Sequence, residues 1–290
     1  MNILTIVSAV MLFLVMIAIL TSLYIYYQAT KKPDNNPSQY LKRKGPASKD
    51  KRVIIAIGDS ITHGRIGTNY VNILKERFNG KKSFEFVNAG INSELAWNAV
   101  QRLGEIINCN PYIVTILIGT NDANAALGPE NMKDHVKRMK LPRDPTRDWY
   151  RKMLTILATR LKQETRARIA LLSLPTIGEE PGNRVFIQST EYSAIVKEVA
   201  ERTGCSYIPL HEKMVAYLNE NPSKPKYPYE KGRTEMIKTI VRYYLFRKNW
   251  DAIAMKSGFE LHIDYLHLNS RGASMVADLI EEFIEKEEKI

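Results

Sequence analysis

The chain is 290 residues long, 44% hydrophobic and 25% charged, a globular composition that can bury a sizeable core in one large domain or two small ones. Its formal net charge is +11, but residues 31–52 carry eight Lys/Arg against two Asp, net +6, which leaves +5 for everything after them. The basic balance is therefore local and gives little support to nucleic-acid binding.

In chain order, the stretch from Ile3 to Ile25 comes first and contains no charged residue. Its 23 residues, at about 1.5 Å each, make a helix of roughly 35 Å, long enough to span a bilayer. Residues 1–30 read as a retained membrane anchor rather than a cleaved secretory signal. No Lys or Arg precedes the apolar run, and Tyr24, Tyr26 and Tyr27 close it like an interfacial aromatic belt. Residues 31–52, polar and Pro-containing, read as a disordered or extended basic linker suited to anionic headgroups. Positive charge on the C-terminal side of the anchor predicts a domain facing the cytoplasm, with the extracytoplasmic side as the alternative. The lack of any Asn-x-Ser/Thr sequon without an intervening proline agrees with that side, and Cys109 and Cys205 are expected as buried free thiols.

Residues 53–290 form the folded domain. Apolar, β-branched runs at 53–57, 84–88, 112–119, 168–174 and 205–210 alternate with helix candidates near 69–78, 93–107, 147–164, 189–203 and 271–287, the last with Ser270 as its cap. This alternation predicts right-handed βαβ crossovers and a parallel sheet covered on both faces. Two inserts interrupt it, at 123–147 and 219–262. In the second, Ile237, Ile240, Val241, Tyr244 and Leu245 recur at helical spacing beside Lys238, Arg242, Arg247 and Lys248. That is a basic amphipathic helix, expected to pack on its own domain, with a bilayer contact or a roof over a cleft as the alternatives.

Candidate chemistry starts with IGDSITHG at 57–64, directly after the first strand. Ser60 is there either as a helix cap or as a nucleophile at the carboxyl end of a strand. A serine nucleophile needs a base, a group to orient that base, and donors for the oxyanion. Of the five histidines, only His267 in DYLHLN has a carboxylate, Asp264, three residues before it and within reach of Nδ1. His262 has no such neighbour, and His63 lies too near Ser60 in sequence. Gly90 in NAGIN and Asn121 in IGTNDAN stand at the ends of the second and third strands and offer donors.

Taken together, GDS at 58–60, Gly90 in NAG, GTND at 119–122 and DYLH at 264–267 resemble, in order and spacing, the four blocks of the SGNH (GDSL-like) hydrolase family. The resemblance covers about residues 53–285. It implies a flavodoxin-like three-layer α/β/α sandwich with a parallel five-stranded sheet, beside the N-terminal transmembrane helix. It also implies Ser60 as nucleophile, His267 as general base and then acid, Asp264 as orienter, and an oxyanion hole of the Ser60 and Gly90 N–H groups with the Asn121 side chain. The absence of a G-x-S-x-G elbow argues against an α/β-hydrolase, and no phosphate loop or close metal-ligand spacing occurs, so no cofactor and no metal is expected. The expected function is a membrane-anchored serine esterase acting on acyl or acetyl esters, lysophospholipase- or thioesterase-like, with a small-molecule or lipid ester as substrate. A carbohydrate acetylesterase is the alternative, with Tyr227, Tyr229, Tyr243 and Trp250 available to stack on sugar rings. A non-catalytic membrane-tethered adaptor is the alternative of another class.

Overall fold

A computed structural model describes residues 3–43, 51–80 and 84–289. Five strands, β1 (Arg52–Gly58), β2 (Phe84–Gly90), β3 (Ile113–Leu117), β4 (Arg168–Leu172) and β5 (Ser206–Ile208), form one parallel sheet in the order β2-β1-β3-β4-β5. Every strand falls on one of the expected apolar runs, with β1 and β2 extending a residue or two past theirs, and this is the flavodoxin-like order. Strands in such a sheet are buried on both faces, which is why they read as continuous apolar runs rather than alternating ones.

The chain begins with α1 (Ile3–Thr30), long and apolar enough to cross a membrane, and α2 (Pro37–Arg43). After β1 come α3 (Ser60–His63) and α4 (Tyr70–Arg77), and after β2 come α5 (Ala96–Gln101) and α6 (Leu103–Asn108). The segment following β3 holds α7 (Thr120–Ala125), α8 (Pro129–Met139) and α9 (Arg147–Glu164). Between β4 and β5 lies α10 (Arg184–Thr203), and after β5 come α11 (Leu210–Glu220), α12 (Gly232–Tyr244), α13 (Trp250–Ser257) and α14 (Ser270–Glu287).

Side chains alternate across a strand, so β1 feeds two cores. Val53, Ile55 and Ile57 pack with α5, α6, α9 and α10 on one face. Ile54 and Ala56 pack with α4, α11 and α14 on the other. The single helix expected at 93–107 is two, broken at Arg102, whose guanidinium turns back to Glu94 and to the Ala89 carbonyl. The last helix is capped by Asn269, which accepts from Gly272 N, and not by Ser270. Cys109 is buried, its thiol donating to the Glu105 carbonyl at 3.2 Å, and Cys205 is partly buried; no disulfide joins them.

The segment after α1 departs from the expected extended linker. Its described part docks on the sheet: the Asn35 carbonyl accepts from Asn88 N at 2.9 Å, and Asn35 Nδ2 donates to the Phe86 carbonyl. Tyr40 of α2 is buried. The physical reason lies in the topology, because β2 is an edge strand and these residues satisfy backbone groups that the edge would leave open. Residues 44–50 of the linker lie outside the described residues.

Candidate active site

The site assembles beyond the carboxyl ends of β1 and β3, where the strand order reverses and open α/β sheets form their crevice. Gly58 ends β1 because the next turn folds straight back on it. A Cβ there would stand 2.0 Å from Thr62 Oγ1 and 2.5 Å from the Leu117 carbonyl, so only glycine leaves room. Asp59 then caps α3, its Oδ1 accepting from Ile61 N at 3.0 Å. The capping role thus falls to Asp59, which frees the Ser60 hydroxyl. As the first residue of α3, Ser60 also has an N–H with no acceptor inside the helix.

Ser60 Oγ lies 3.0 Å from His267 Nε2, and His267 Nδ1 lies 2.9 Å from Asp264 Oδ2. Asp264 Oδ1 accepts from Leu266 N and His267 N, each at 2.7 Å. With Nδ1–H donated to the carboxylate, Nε2 is left as the acceptor for the serine hydroxyl. Asp264 and His267 are both buried, which makes their mutual effect strong. Burial alone would raise the Asp264 carboxyl, but attraction to His267 and the hydrogen bonds it accepts hold it below the usual range. Burial likewise works against the charged imidazole, yet Asp264 raises His267 above its usual value. The imidazole is therefore a stronger proton acceptor than one in water.

A second carboxylate fixes this loop from outside. Glu179 Oε1 accepts from Leu261 N, His262 N and His262 Nδ1 at 2.7, 2.8 and 2.8 Å, while Oε2 accepts from Glu260 N at 2.7 Å. His262 bridges Leu268 in antiparallel fashion, and Ile263 N donates to the His267 carbonyl at 2.8 Å, closing the turn that carries Asp264 and His267. The sequence offers no cue for this clamp, since Glu179 lies 83 residues before His262.

Both predicted accessory donors are engaged within the chain. Asn121, at the start of α7, donates through Nδ2 to the Glu94 carbonyl at 3.1 Å, and the same nitrogen lies 3.4 Å from Asp59 Oδ2. The Gly90 N–H, expected to face an oxyanion, instead donates to Asn88 Oδ1 at 2.9 Å. Its missing side chain serves packing, because a Cβ would lie 2.2 Å from His63 N. His63 is buried and its imidazole is pushed down to about 4 by burial and then by the nearby Arg65, a neutral packing residue. Two buried acids lie deeper: burial raises Asp59 to about 6 and Asp122 to about 7. Among the described residues, no group of three or more His, Cys, Asp or Glu is placed to hold a metal ion.

The aromatic residues singled out for sugar stacking largely cover one another. Tyr243 and Trp250 stack face to face at 3.7 Å, and Tyr227 and Tyr229 meet Tyr265 edge-on.

In comparison with known proteins, residues 56–274 match the family model described as the GDSL-like Lipase/Acylhydrolase family. Among solved structures, the acetyl xylan esterase AlAXEase is similar at 20% identity and a TM-score of 0.57, over 80% of this chain and 99% of that one. The acetylxylan esterase Axe2 from Geobacillus stearothermophilus is similar at 19% identity and a TM-score of 0.55, over 80% and 94%. A lipase/acylhydrolase from Enterococcus faecalis follows at 19% identity and 0.53, over 81% and 96%. Among curated protein sequences, none matches the chain.

Proposed function

The chain belongs to the GDSL-like lipase/acylhydrolase family and is an ester-hydrolysing enzyme, and on that premise we propose that it is a membrane-anchored serine esterase working through Ser60, His267 and Asp264. The observation that carries this reading is the unbroken relay of 3.0 and 2.9 Å contacts from hydroxyl to imidazole to carboxylate.

In the proposed reaction Ser60 Oγ attacks the ester carbonyl carbon while its proton passes to His267 Nε2. The carbonyl π-electrons move onto oxygen, and the Ser60 N–H stabilises that oxyanion, joined by Asn121 Nδ2 as it gives up one of its two acceptors, Asp59 Oδ2 and the Glu94 carbonyl. Collapse breaks the bond to the alcohol, which leaves with the proton from Nε2. Water then attacks the acyl-enzyme by the same route, releasing the acid and restoring Ser60. Asp264 keeps its charge throughout and holds Nδ1–H toward itself, so that Nε2 always faces the serine. The chain's own groups supply every proton transfer in this sequence.

The proposed arrangement has α1 as a retained anchor, 31–52 as the juxtamembrane segment and 53–290 as the hydrolase domain, with the flanking positive charge supporting a cytoplasmic side over an extracytoplasmic one. The proposed substrates are acyl esters supplied from the bilayer. A carbohydrate acetylesterase is the second reading, favoured by the fold shared with two acetylxylan esterases. Initial rates on p-nitrophenyl acetate and octanoate separate the two: preference for the longer acyl group supports the lipid reading, and strict preference for acetate overturns it. Ser60→Ala is expected to abolish turnover and fluorophosphonate labelling of folded protein. Retention of either removes Ser60 as nucleophile, and a folded wild type that neither labels nor turns over returns the chain to an adaptor role.

A further inference from the structure

Three loops at the carboxyl edge of the sheet converge on the last turn of α1. From the turn after β2, Asn92 Nδ2 donates to the Ala29 carbonyl at 2.9 Å. From the end of α12, Tyr244 Oη donates to the Arg65 carbonyl at 2.6 Å and lies 3.3 Å from the Gln28 carbonyl. Arg65 follows Gly64, the residue that caps α3, so the helix opened by Ser60 is tied into the same knot. The sheet edge that bears the site therefore sits where the apolar helix ends.

The depth of that point can be read from α1. Tyr24, Tyr26 and Tyr27 are exposed and mark the level of an aqueous interface. Gln28 is one helical turn beyond Tyr24, on the order of 6 Å along the axis. Tyr244 touches Gln28, so the C-terminal end of α12 stands at nearly the same level. The residues just past it are Leu245, Phe246, Arg247 and Lys248. Leu245 is 46% and Phe246 63% exposed, and Ile237, two helical turns earlier, is 54% exposed. Outside α1 the only other exposed large apolar side chains among the described residues are Ile187 and Met255, so this surface concentrates most of the domain's exposed grease.

Charge completes the pattern. Lys238 is paired with Glu235 at 2.6 Å, and Lys31 with Asp34 at 3.2 Å, whereas Arg242, Arg247 and Lys248 have no carboxylate among the ion pairs of the described residues. A helix end that exposes Leu and Phe with three uncompensated cations suits neither bulk water nor a packed interior. It suits the boundary of an anionic bilayer, where apolar side chains enter the acyl region and cations meet headgroups.

We propose that the end of α12, with Leu245 and Phe246 inserted and Arg242, Arg247 and Lys248 on anionic headgroups, docks on the bilayer from which α1 emerges, setting the serine site at the lipid–water boundary to take esters presented there. This rests on the reading of α1 as a membrane span and deepens the proposed esterase function.

The test uses the full chain reconstituted in phosphatidylcholine vesicles with and without phosphatidylserine. A nitroxide is attached at Phe246→Cys in a Cys205→Ser background, with Ile187→Cys as the reference site. Protection of the label at 246 from a water-soluble nickel chelate, with high oxygen accessibility, supports docking. Nickel access equal to that at 187 overturns it. In the second arm Arg242→Glu/Arg247→Glu/Lys248→Glu is assayed on a long-chain ester carried in phosphatidylserine vesicles and on soluble p-nitrophenyl acetate. The ratio of vesicle-borne to soluble turnover is expected to fall on the order of tenfold or more. An unchanged ratio in an active enzyme sinks the docking proposal and leaves the esterase reading standing. If the wild type turns over neither ester, the esterase reading falls, and the label depth still decides docking.

Discussion

The loop from Glu260 to Asn269 carries two histidines, each paired with a carboxylate in almost indistinguishable local geometry, one from within the loop and one from Glu179 outside it. His262 Nδ1 meets Glu179 at 2.8 Å and His267 Nδ1 meets Asp264 at 2.9 Å, and all four residues are buried. The difference is at the far nitrogen. His267 Nε2 reaches Ser60 Oγ, whereas His262 Nε2 is buried with no hydrogen-bond partner. A carboxylate that orients an imidazole is thus a common structural device, and it becomes chemistry only where the other ring nitrogen faces a nucleophile. Glu179 spends its remaining acceptor capacity on the Glu260, Leu261 and His262 N–H groups, as a clamp would.

Breaking the Asp264 pair should have the largest effect. In Asp264→Asn the amide oxygen can still accept from Leu266 N and His267 N, so the turn survives. The amide nitrogen then faces Nδ1 and forces the wrong tautomer, and kcat is expected to drop about 10⁴-fold with little change in Tm. A loss below tenfold in ester assays removes Asp264 from the relay. Breaking the Glu179 pair should do the reverse. Glu179→Gln turns an amide donor toward one of the four donors the carboxylate now accepts, at a cost of about 3 kcal/mol in urea unfolding, with kcat within tenfold at low temperature. Equal damage to kcat and stability in both variants would dissolve the distinction.

The Glu179 clamp also carries a pH signature. Burial pushes the Glu179 carboxyl up, but His262 and the backbone amides outweigh it and hold the folded-state value below normal. A depressed carboxyl contributes stability above its unfolded value, roughly 4.3, which is lost as pH falls through the folded one. The wild type should therefore lose stability over that acid range by more than Glu179→Gln does. Parallel curves from pH 6 to pH 3 would show that the clamp carries no charge.

This contrast also explains what the sequence reveals. Asp264 and His267 stand three residues apart, so their meeting is local and DYLH displays it. Glu179 and His262 meet only because the chain after β4 folds against the loop before α14, a contact that no spacing encodes. The strands were legible for a similar reason: a parallel strand buried on both faces is a run of apolar residues wherever it sits. Helix α9 was legible to its ends because a Thr146 cap and a periodic apolar face agree. The docking of residues 33–43 was not, since polar side chains that satisfy a sheet edge look, in sequence, like those of a tether. Nor could NAGIN reveal that the Gly90 N–H turns inward to Asn88, because glycine reports room for the backbone and not the direction of its N–H.

The smallest effect should come from Asp59, the carboxylate that belongs to neither pair. It lies in the electrostatic field of His267 and, after Asp264, contributes to raising that imidazole. In the proposed relay His267 must be neutral to take the serine proton, so activity should fall as pH drops through a value above the usual 6.5. Burial keeps Asp59 itself up at about 6, so its charge is present through most of that limb. Asp59→Asn preserves an acceptor for Ile61 N and hence the cap on α3, but removes the charge. The acid limb of kcat/KM should then move to lower pH, because one of the charges that raise His267 is gone. Glu179→Gln, which touches the other histidine, should leave that limb in place. A limb that moves with Glu179 and not with Asp59 would mean that the clamp, through the backbone of the turn, tunes the base more strongly than a buried charge beside the serine.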